Sequence, residues 1–523
     1  MQNVEIGEKK KSEQLLKSTT TVSFMTFLSR VVGFLRDMVV ANIFGASAGI
    51  DAFLLAFKIP NFMRRLFAEG AFSQAFVPVL SEYRATQEPI AVKVLVDRVF
   101  GVLSLVLLAV SFIGVVFAPF FVHIFAPGFQ IEDHRFGLAC QLLQLTFPYI
   151  FFISLTAFAG GIQNAYRKFA VPAFTPVLLN FSLIFAAYLL SPYFAEPVEA
   201  LAWGVLLAGI AQLLFQAPFL AKLALLPSPA WGWHDPGVKR IMTLMVPALV
   251  GASVMQVNLL VDTIFASFLP VGSLTWLYYS DRLLEFPIGI FGVALATVVL
   301  PHLSQEYTEK SHSGFSASLD WAFRWILLIG IPATVGLTLL TGPLMVTLFQ
   351  YGRFLPRDAI MAAKSLLTLS LGLVCFLVVK ILVSAFYARQ NTKFPVKVAI
   401  FAMVLNVILN ALLIGPLAHA GLALASSLSS ICNVLILLWA LLRQKIYIPI
   451  SGWMSFALRL MLANSAMAVV IWWFSPDISA WLEWGATERF MTLLSLIMIA
   501  MVTYFGLLWL SGLRYAHMRL QHA

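Results

Sequence analysis

The sequence predicts an all-α polytopic membrane protein of about 14 transmembrane helices, in two six-helix lobes related by an internal repeat plus two extra C-terminal helices. Three observations predict it. The 523 residues are 60% hydrophobic and only 11% charged, with a mean hydropathy of +0.90, whereas a soluble protein carries about 25% charged residues. Lysine and arginine crowd into alternate connections between the apolar runs. Three short motifs recur in the same order at one spacing.

The chain begins with MQNVEIGEKKKSEQLLKSTT, a polar segment without the apolar centre of a signal peptide. Residues 1–19 read as a cytoplasmic tail, and the first span reads as an uncleaved anchor. Predicted spans follow at 21–44, 51–79, 99–121, 136–160, 172–190, 199–221, 241–268, 275–300, 320–341, 358–386, 396–414, 419–441, 455–474 and 489–511. The first lobe covers 20–225 and the second 237–445. Residues 450–512 hold the two extra helices, and 513–523 form a second cytoplasmic tail.

Orientation follows from the connections. With the N-terminus inside, the inner segments hold Lys9, Arg84, Lys93, Arg98, Arg167, Lys168, Lys222, Lys239, Arg240, Arg389, Lys393, Arg443 and Lys445 among others. The outer segments hold Arg135, Arg353, Arg357 and Arg489. That asymmetry, roughly five to one, places both termini in the cytoplasm. The net charge of +10 is then mostly a consequence of topology, and no nucleic acid is needed to explain it.

The repeat is carried by three pairs of strings. FAPFFVHIFAPGF at 117–129 matches TGPLMVTLFQYGRF at 341–354, FVPVLSEY at 76–83 matches VLPHLSQEY at 299–307, and YRKFAVP at 166–172 matches RQNTKFP at 389–395. Aligned prolines and phenylalanines lie 223 or 224 residues apart. Each copy holds an even number of helices, so the axis relating them runs along the membrane normal. Lobes related this way enclose a central site and work by rocking.

The chemistry is concentrated in Ser29–Arg65. Within the first two spans or at their ends stand Arg30, Arg36, Asp37, Asp51, Lys58, Arg64 and Arg65. Each charge at bilayer depth costs roughly 2.5–3.5 kcal/mol on insertion scales, so such a set marks a polar cavity with a ligand. The competing reading is that some of these side chains reach the interface along their aliphatic stems. Ser29 and Arg36 are seven apart, as are Arg30 and Asp37, which puts each pair near one helix face. Asp51 and Lys58 repeat that spacing, Asn61 follows Lys58 by a turn, and Pro60 interrupts the helix.

The second lobe contributes Asp281, Arg282 and Glu285 in YYSDRLLEFP, and Lys380 in LVCFLVVKILVSAF. Cations outnumber carboxylates in this set. The surplus favours an anionic ligand, and several arginines favour phosphate, with a diphosphate fitting the number of donors. The other reading is an ion-pair network that only joins the lobes. A candidate cation site consists of Asp262, Asn406, Asn410 and Ser426, whose oxygens suit Na⁺ or another small coupling ion. Interhelical hydrogen bonding is the alternative there.

No Walker A, HExxH or GxSxG motif is present. The chain reads as a transporter without an ATPase or other catalytic centre and with no cofactor. Cys140, Cys375 and Cys432 lie in apolar runs without CxxC spacing and read as small core residues.

FLSRVVGFLRDMVVANIFGAS, DAFLLAFKIPNFMRRLFAEGAFSQAFVPVLSEY, WLYYSDRLLEFPIGIFGVALATVVLPHLS, LFQYGRF and FYARQNTKFPVK resemble the MurJ/MviN family over about residues 20–450. That family lies in the superfamily of multidrug, oligosaccharidyl-lipid and polysaccharide exporters. The resemblance implies a flippase for lipid II, the undecaprenyl-diphosphate-linked peptidoglycan precursor, in the bacterial inner membrane. It also implies that Arg30, Arg36, Asp51, Arg64 and Arg282 match charged positions needed for function, with Ser29 joining Arg30, Arg36 and Arg64 as diphosphate contacts. Lys58, Asn61, Asp281, Glu285 and Lys380 fall on cavity positions by the same match. Residues 450–512 are expected to form a groove for the lipid tail. The expected partners are lipid II, membrane lipids and cell-wall synthases. The alternatives are a flippase for another lipid-linked oligosaccharide, or a multidrug exporter of the same superfamily. A drug exporter needs a carboxylate-rich cavity for cationic drugs, whereas this set is basic.

Overall fold

Long apolar runs with few breakers fold as helices throughout the computed structural model, which describes residues 2–65, 72–131 and 133–514. Side chains at 2–21, 248, 250–259, 293, 294, 296 and 297 are outside that description, as is most of the predicted tail at 513–523. The chain forms two compact units, 1–271 and 272–523.

The first unit contains α1 (Gln2–Phe44), α2 (Ala48–Arg64), α3 (Ser73–Thr86), α4 (Pro89–Val116), α5 (Ala118–Phe125), α6 (His134–Thr146), α7 (Tyr149–Ala165), α8 (Ala170–Phe185), α9 (Glu199–Lys222) and α10 (Pro236–Ser267). Starts and stops follow local chemistry. Ser47 and Asp235 accept backbone N–H groups at the starts of α2 and α10, satisfying donors that lack helical partners. Pro89 and Pro236 occupy the first turn of α4 and α10, where a missing N–H costs nothing. α1 packs along α8, α2 along α6, α7 along α9, and α10 along α3. Phe72 stacks on Phe76, and Phe158 packs tilted against both, within the α3–α4–α7 core.

The second unit contains α11 (Ser273–Pro287), α12 (Val293–Thr308), α13 (His312–Leu339), α14 (Thr341–Phe349), α15 (Pro356–Ser370), α16 (Leu373–Ala388), α17 (Lys393–Arg443), α18 (Trp453–Phe474), α19 (Ile478–Glu483) and α20 (Ala486–Leu510). Its core lies between α12, α13, α16 and α17, around Leu303, Leu319, Leu373, Ile381 and Leu437. α18 and α20 pair with each other, and α18 packs on α13. Many large apolar side chains point outward in both units, including Phe112, Leu214, Trp472 and Trp473. A water-facing surface does not present such a band, whereas a lipid-facing one does.

The architecture is an all-α polytopic membrane fold. Among the described residues eight helical segments are long and apolar enough to cross a membrane, or nine if α15 and α16, bent by 42°, form one span. This is fewer than the predicted 14 for identifiable reasons. α17 contains two predicted spans, 396–414 and 419–441, on either side of Ala418, whose φ of 48° and ψ of −129° break the helix. The predicted span 51–79 becomes α2 and α3, flanking residues 66–71, which lie outside the described residues. The predicted span 275–300 becomes α11 and α12, joined by a widened turn at Ile288–Gly292 just after Pro287.

Backbone features recur at the repeat spacing. α4 and α13 are both 28 residues long, and each runs into a short helix that starts with a proline in or beside its first turn. The junction residues Phe117 (φ −97°, ψ 21°) and Leu340 (φ −102°, ψ 16°) have nearly the same conformation. Arg167 and Gln390 take left-handed φ values of 60° and 58° at the ends of α7 and α16.

Candidate functional site

Asn180, in the middle of the apolar helix α8, reaches two turns of α1. Its amide donates to the Ser29 carbonyl at 3.2 Å and accepts from Arg36 Nη1 at 3.1 Å. The seven-residue spacing of Ser29 and Arg36 therefore presents one face to α8, as the helical period requires. Arg36 is 8% exposed. It closes on its neighbour Asp37 through Nε at 3.0 Å and Nη2 at 2.5 Å, both to Oδ1. Asp37 is thus held by the adjacent guanidinium. A buried ion pair needs such added hydrogen bonds to offset desolvation. Ser29 and Arg30 are half-buried on the same helix, and Gly33 is buried between the two pairs.

Asp51 is 1% exposed in the first turn of α2, where the helix dipole favours a carboxylate. Lys58, Asn61, Arg64 and Arg65 are half-buried toward the end of the same helix. Arg64 Nε donates to Asn61 Oδ1 at 2.9 Å, one turn back. Pro60 lies inside the helix between Lys58 and Asn61. Thr146 donates to the Ala56 carbonyl at 2.9 Å and ties this segment to α6.

In the second unit, Arg282 Nη1 meets Glu285 Oε2 at 3.2 Å across one turn of α11. Asp281 and Glu285 are exposed and Arg282 is half-buried. Lys380, on α16, is half-buried beside Gly292. A Cβ at Gly292 would stand 3.1 Å from Lys380 Cδ, so the glycine leaves room for the lysine stem. The predicted binding residues thus form two groups, one in each unit.

The candidate cation residues divide in the same way. Asn410 Nδ2 donates to Asn406 Oδ1 at 3.1 Å, and Asn406 Nδ2 donates to Ser426 Oγ at 3.2 Å, joining the two halves of α17. Both asparagines are fully buried. Asp262 is half-buried on α10 of the first unit, beside the buried Thr263. Of these bonds, Asn406–Ser426 crosses the break at Ala418, whereas Asn410–Asn406 spans one turn within the first half of α17.

Three polar clusters escape sequence reasoning. Asp320 on α13 gathers Tyr447 Oη at 2.9 Å, Ile450 N at 3.3 Å and Trp453 Nε1 at 2.5 Å on one oxygen, and Arg324 at 2.7 Å on the other. Arg489, 5% exposed, donates to the carbonyls of Trp481, Gln350 and Leu482. Gln163, Gln212, Gln216 and Thr175 form a polar layer between α7, α8 and α9. Asn180, Asp320 and Arg489 each sit in or at the edge of a predicted apolar span, which was the available signal.

The sequence matches the family described as lipid II flippase MurJ over residues 40–507. It is 46% identical over 510 residues to a probable lipid II flippase MurJ of Vibrio cholerae, covering 96% of this chain and 97% of that one. It is 40% identical over 511 residues to the lipid II flippase MurJ of Burkholderia cenocepacia, covering 97% and 99%. Among solved structures, a lipid II flippase MurJ in an inward closed conformation aligns with a TM-score of 0.77 at 28% identity, over 92% of this chain and 98% of that one. An inward-facing multidrug resistance MATE family transporter aligns with a TM-score of 0.67 at 15% identity, over 80% and 94%, a likeness of fold alone.

Proposed function

The chain belongs to the lipid II flippase MurJ family of transporters, and from that premise we propose that it flips lipid II from the cytoplasmic to the periplasmic leaflet by alternating access, for cell-wall synthesis. Lipid II carries a diphosphate between its polyprenyl tail and its sugars. Ser29, Arg30, Arg36 and Arg64 contact that diphosphate, with Lys58, Asn61, Asp281, Arg282, Glu285 and Lys380 completing the cavity. Asp37 and Asp51 hold or gate the cations.

The observation that carries the headgroup role is the bracing of Arg36. A guanidinium fixed by Asp37 and Asn180 is held in one orientation before ligand arrives, which lowers the entropy lost on binding. Arginine presents a planar fork that suits phosphate.

The proposed architecture has 14 spans, lobes at 20–225 and 237–445, and a tail groove in 450–512. The matching junctions at Phe117 and Leu340 and the matching turns at Arg167 and Gln390 support the repeat. Positive residues in alternate connections support cytoplasmic termini and an inner-membrane orientation. In the inward-facing state the cationic cavity takes up the headgroup, while the tail stays in lipid. Charge neutralisation then reduces repulsion and permits closure. Asp262, with Asn406, Asn410 and Ser426, is the proposed site for Na⁺ or another coupling ion. Cell-wall synthases are the proposed consumers of the product.

Depletion of the protein followed by labelling of periplasmic lipid II tests the reading. Loss of exposed lipid II is expected, and normal exposure in a strain with no second flippase overturns it. A flippase for another lipid-linked saccharide is the second reading, since the cations recognise the diphosphate and not the sugar. Competition between lipid II and other undecaprenyl-diphosphate saccharides separates the two.

A further inference from the structure

The first unit contains a cationic concavity away from Ser29–Arg65 in sequence and built from other helix ends. Arg167 and Lys168, in the α7–α8 turn, and Lys222, at the end of α9, line a cavity of about 530 Å³. None of its lining residues is acidic. Other cations of the inner connections of this unit are matched differently. Lys93 pairs with Asp97, Arg98 with Asp235 and Arg240 with Glu82, while Arg84 donates to the Ala165 carbonyl and covers the Tyr166 ring. Three cations around one cavity without a carboxylate repel one another, and an anion relieves that repulsion.

Two further features point to a ligand. Gln163 is fully buried and lines the same cavity. Its Nε2 donates to Gln216 Oε1 at 3.0 Å, while its own Oε1 accepts no hydrogen bond. A buried acceptor left in this way calls for a donor group. α8 also starts at the cavity, at Ala170, with no side chain capping its first N–H groups.

The cavity wall includes the first of a row of aromatic rings. Phe219 lines it and carries Lys222 over its ring at 5.7 Å. Phe219 meets Phe215 at 5.6 Å, and Phe215 meets Phe174 at 5.6 Å. This line of rings runs along α8 and α9, whose outer faces expose Phe181 and Leu214. A free phosphate has no use for such a path, whereas acyl chains do.

We propose that this cavity binds the headgroup of an anionic phospholipid with hydroxyl donors, of the phosphatidylglycerol type. Arg167, Lys168 and Lys222 take the phosphate, Gln163 takes a headgroup hydroxyl, and the Phe219–Phe215–Phe174 line carries an acyl chain. Its placement in the cytoplasmic leaflet rests on the proposed orientation, but the binding itself does not depend on lipid II transport.

The test uses the purified full-length protein in detergent, titrated with phosphatidylglycerol or phosphatidylcholine and read by native mass spectrometry. Each surface cation contributes about 1 kcal/mol toward anionic lipid, or roughly fivefold. The combined Arg167→Gln, Lys168→Gln and Lys222→Gln variant is therefore expected to weaken phosphatidylglycerol binding on the order of a hundredfold. Ala170→Glu is expected to block the site while preserving the thermal midpoint, because an acidic residue suits a helix start. Three exposed cations elsewhere, changed as Lys310→Gln, Arg443→Gln and Lys445→Gln, are expected to leave binding unchanged. Equal weakening in that control, equal binding of phosphatidylcholine, or displacement of the lipid by inorganic phosphate overturns the proposal. Flipping assayed separately distinguishes its failure from failure of the transport reading.

Discussion

Asn180 holds Arg36 from the neighbouring helix: the guanidinium donates to its Oδ1 at 3.1 Å, and the same amide donates to the Ser29 carbonyl at 3.2 Å. One side chain on α8 thereby sets both the distance between two helices and the direction of a buried cation.

Arg36→Lys is expected to weaken lipid II binding by about tenfold to a hundredfold, because an ammonium keeps the charge but loses the fork. Titration of lipid II into the purified variant, with protein yield and melting as controls, measures this. Wild-type affinity in the variant would remove Arg36 from the headgroup site.

Asn180→Leu removes the brace and leaves the volume roughly filled. A loss of about 1–3 kcal/mol in stability is expected, since buried polar partners lose their hydrogen bond. Combined with Arg36→Met, the two effects should be less than additive, as for residues in one network. Strict additivity in thermal melting of the pair would show that the contact carries no coupling.

Asp320→Ala is expected to cost about 3–5 kcal/mol, because Arg324 loses its buried carboxylate. The cost should appear locally. The segment 444–452 is held to α13 through Tyr447, Ile448, Ile450 and Ser451. Limited proteolysis should cut that segment faster in the variant, while Tyr447→Phe should cost only about 1 kcal/mol.

Arg489→Lys is expected to destabilise by about 2–4 kcal/mol, because an ammonium cannot serve three carbonyls in the directions a guanidinium does. Two of those carbonyls, of Trp481 and Leu482, belong to the link between α18 and α20, and the third, of Gln350, follows α14. Hydrogen exchange in residues 475–485 should rise. Unchanged exchange would mean that the link is held by Trp481 packing alone.

Glu82 and Arg240 lie outside the predicted spans, on α3 and α10. The hydrogen bond from Arg240 holds the Glu82 carboxyl below its ordinary 4.5; burial opposes the shift and charge attraction adds to it. A depressed acid stabilises the fold above its unfolded value, and the contribution fades as pH falls through the lower folded value. The melting difference between wild type and Glu82→Gln should therefore be present at neutral pH, begin to shrink near 4.5 and vanish below the lowered folded value. Because the pair is exposed, added salt should shrink it. A difference that grows on acidification would reverse the sign of the argument.

The legible features were those that cost energy in a membrane. Arg30, Arg36, Asp51 and Lys58 stand out because each charge in an apolar run is expensive. The interruption within α17 was legible between the spans 396–414 and 419–441, and it falls at Ala418. Asn180 was less visible: one amide in an apolar helix has many bland explanations, and its value lies in which turns of α1 it meets. Arg489 was less visible still, since its partners are backbone carbonyls, which every residue has.

Sequence by itself determined the all-helical membrane class, the concentration of cations in Ser29–Arg65 and the spacing that puts Ser29 and Arg36 on one face, because hydropathy and helical period are local properties. Only the tertiary structure decided that Asp37 and Asn180 share Arg36, that Asp320 gathers Tyr447, Trp453 and Arg324, and that Arg167, Lys168 and Lys222 surround one cavity. Those arrangements depend on how distant helices pack, and hydrogen-bond geometry at 3 Å is set by that packing and not by distance along the chain.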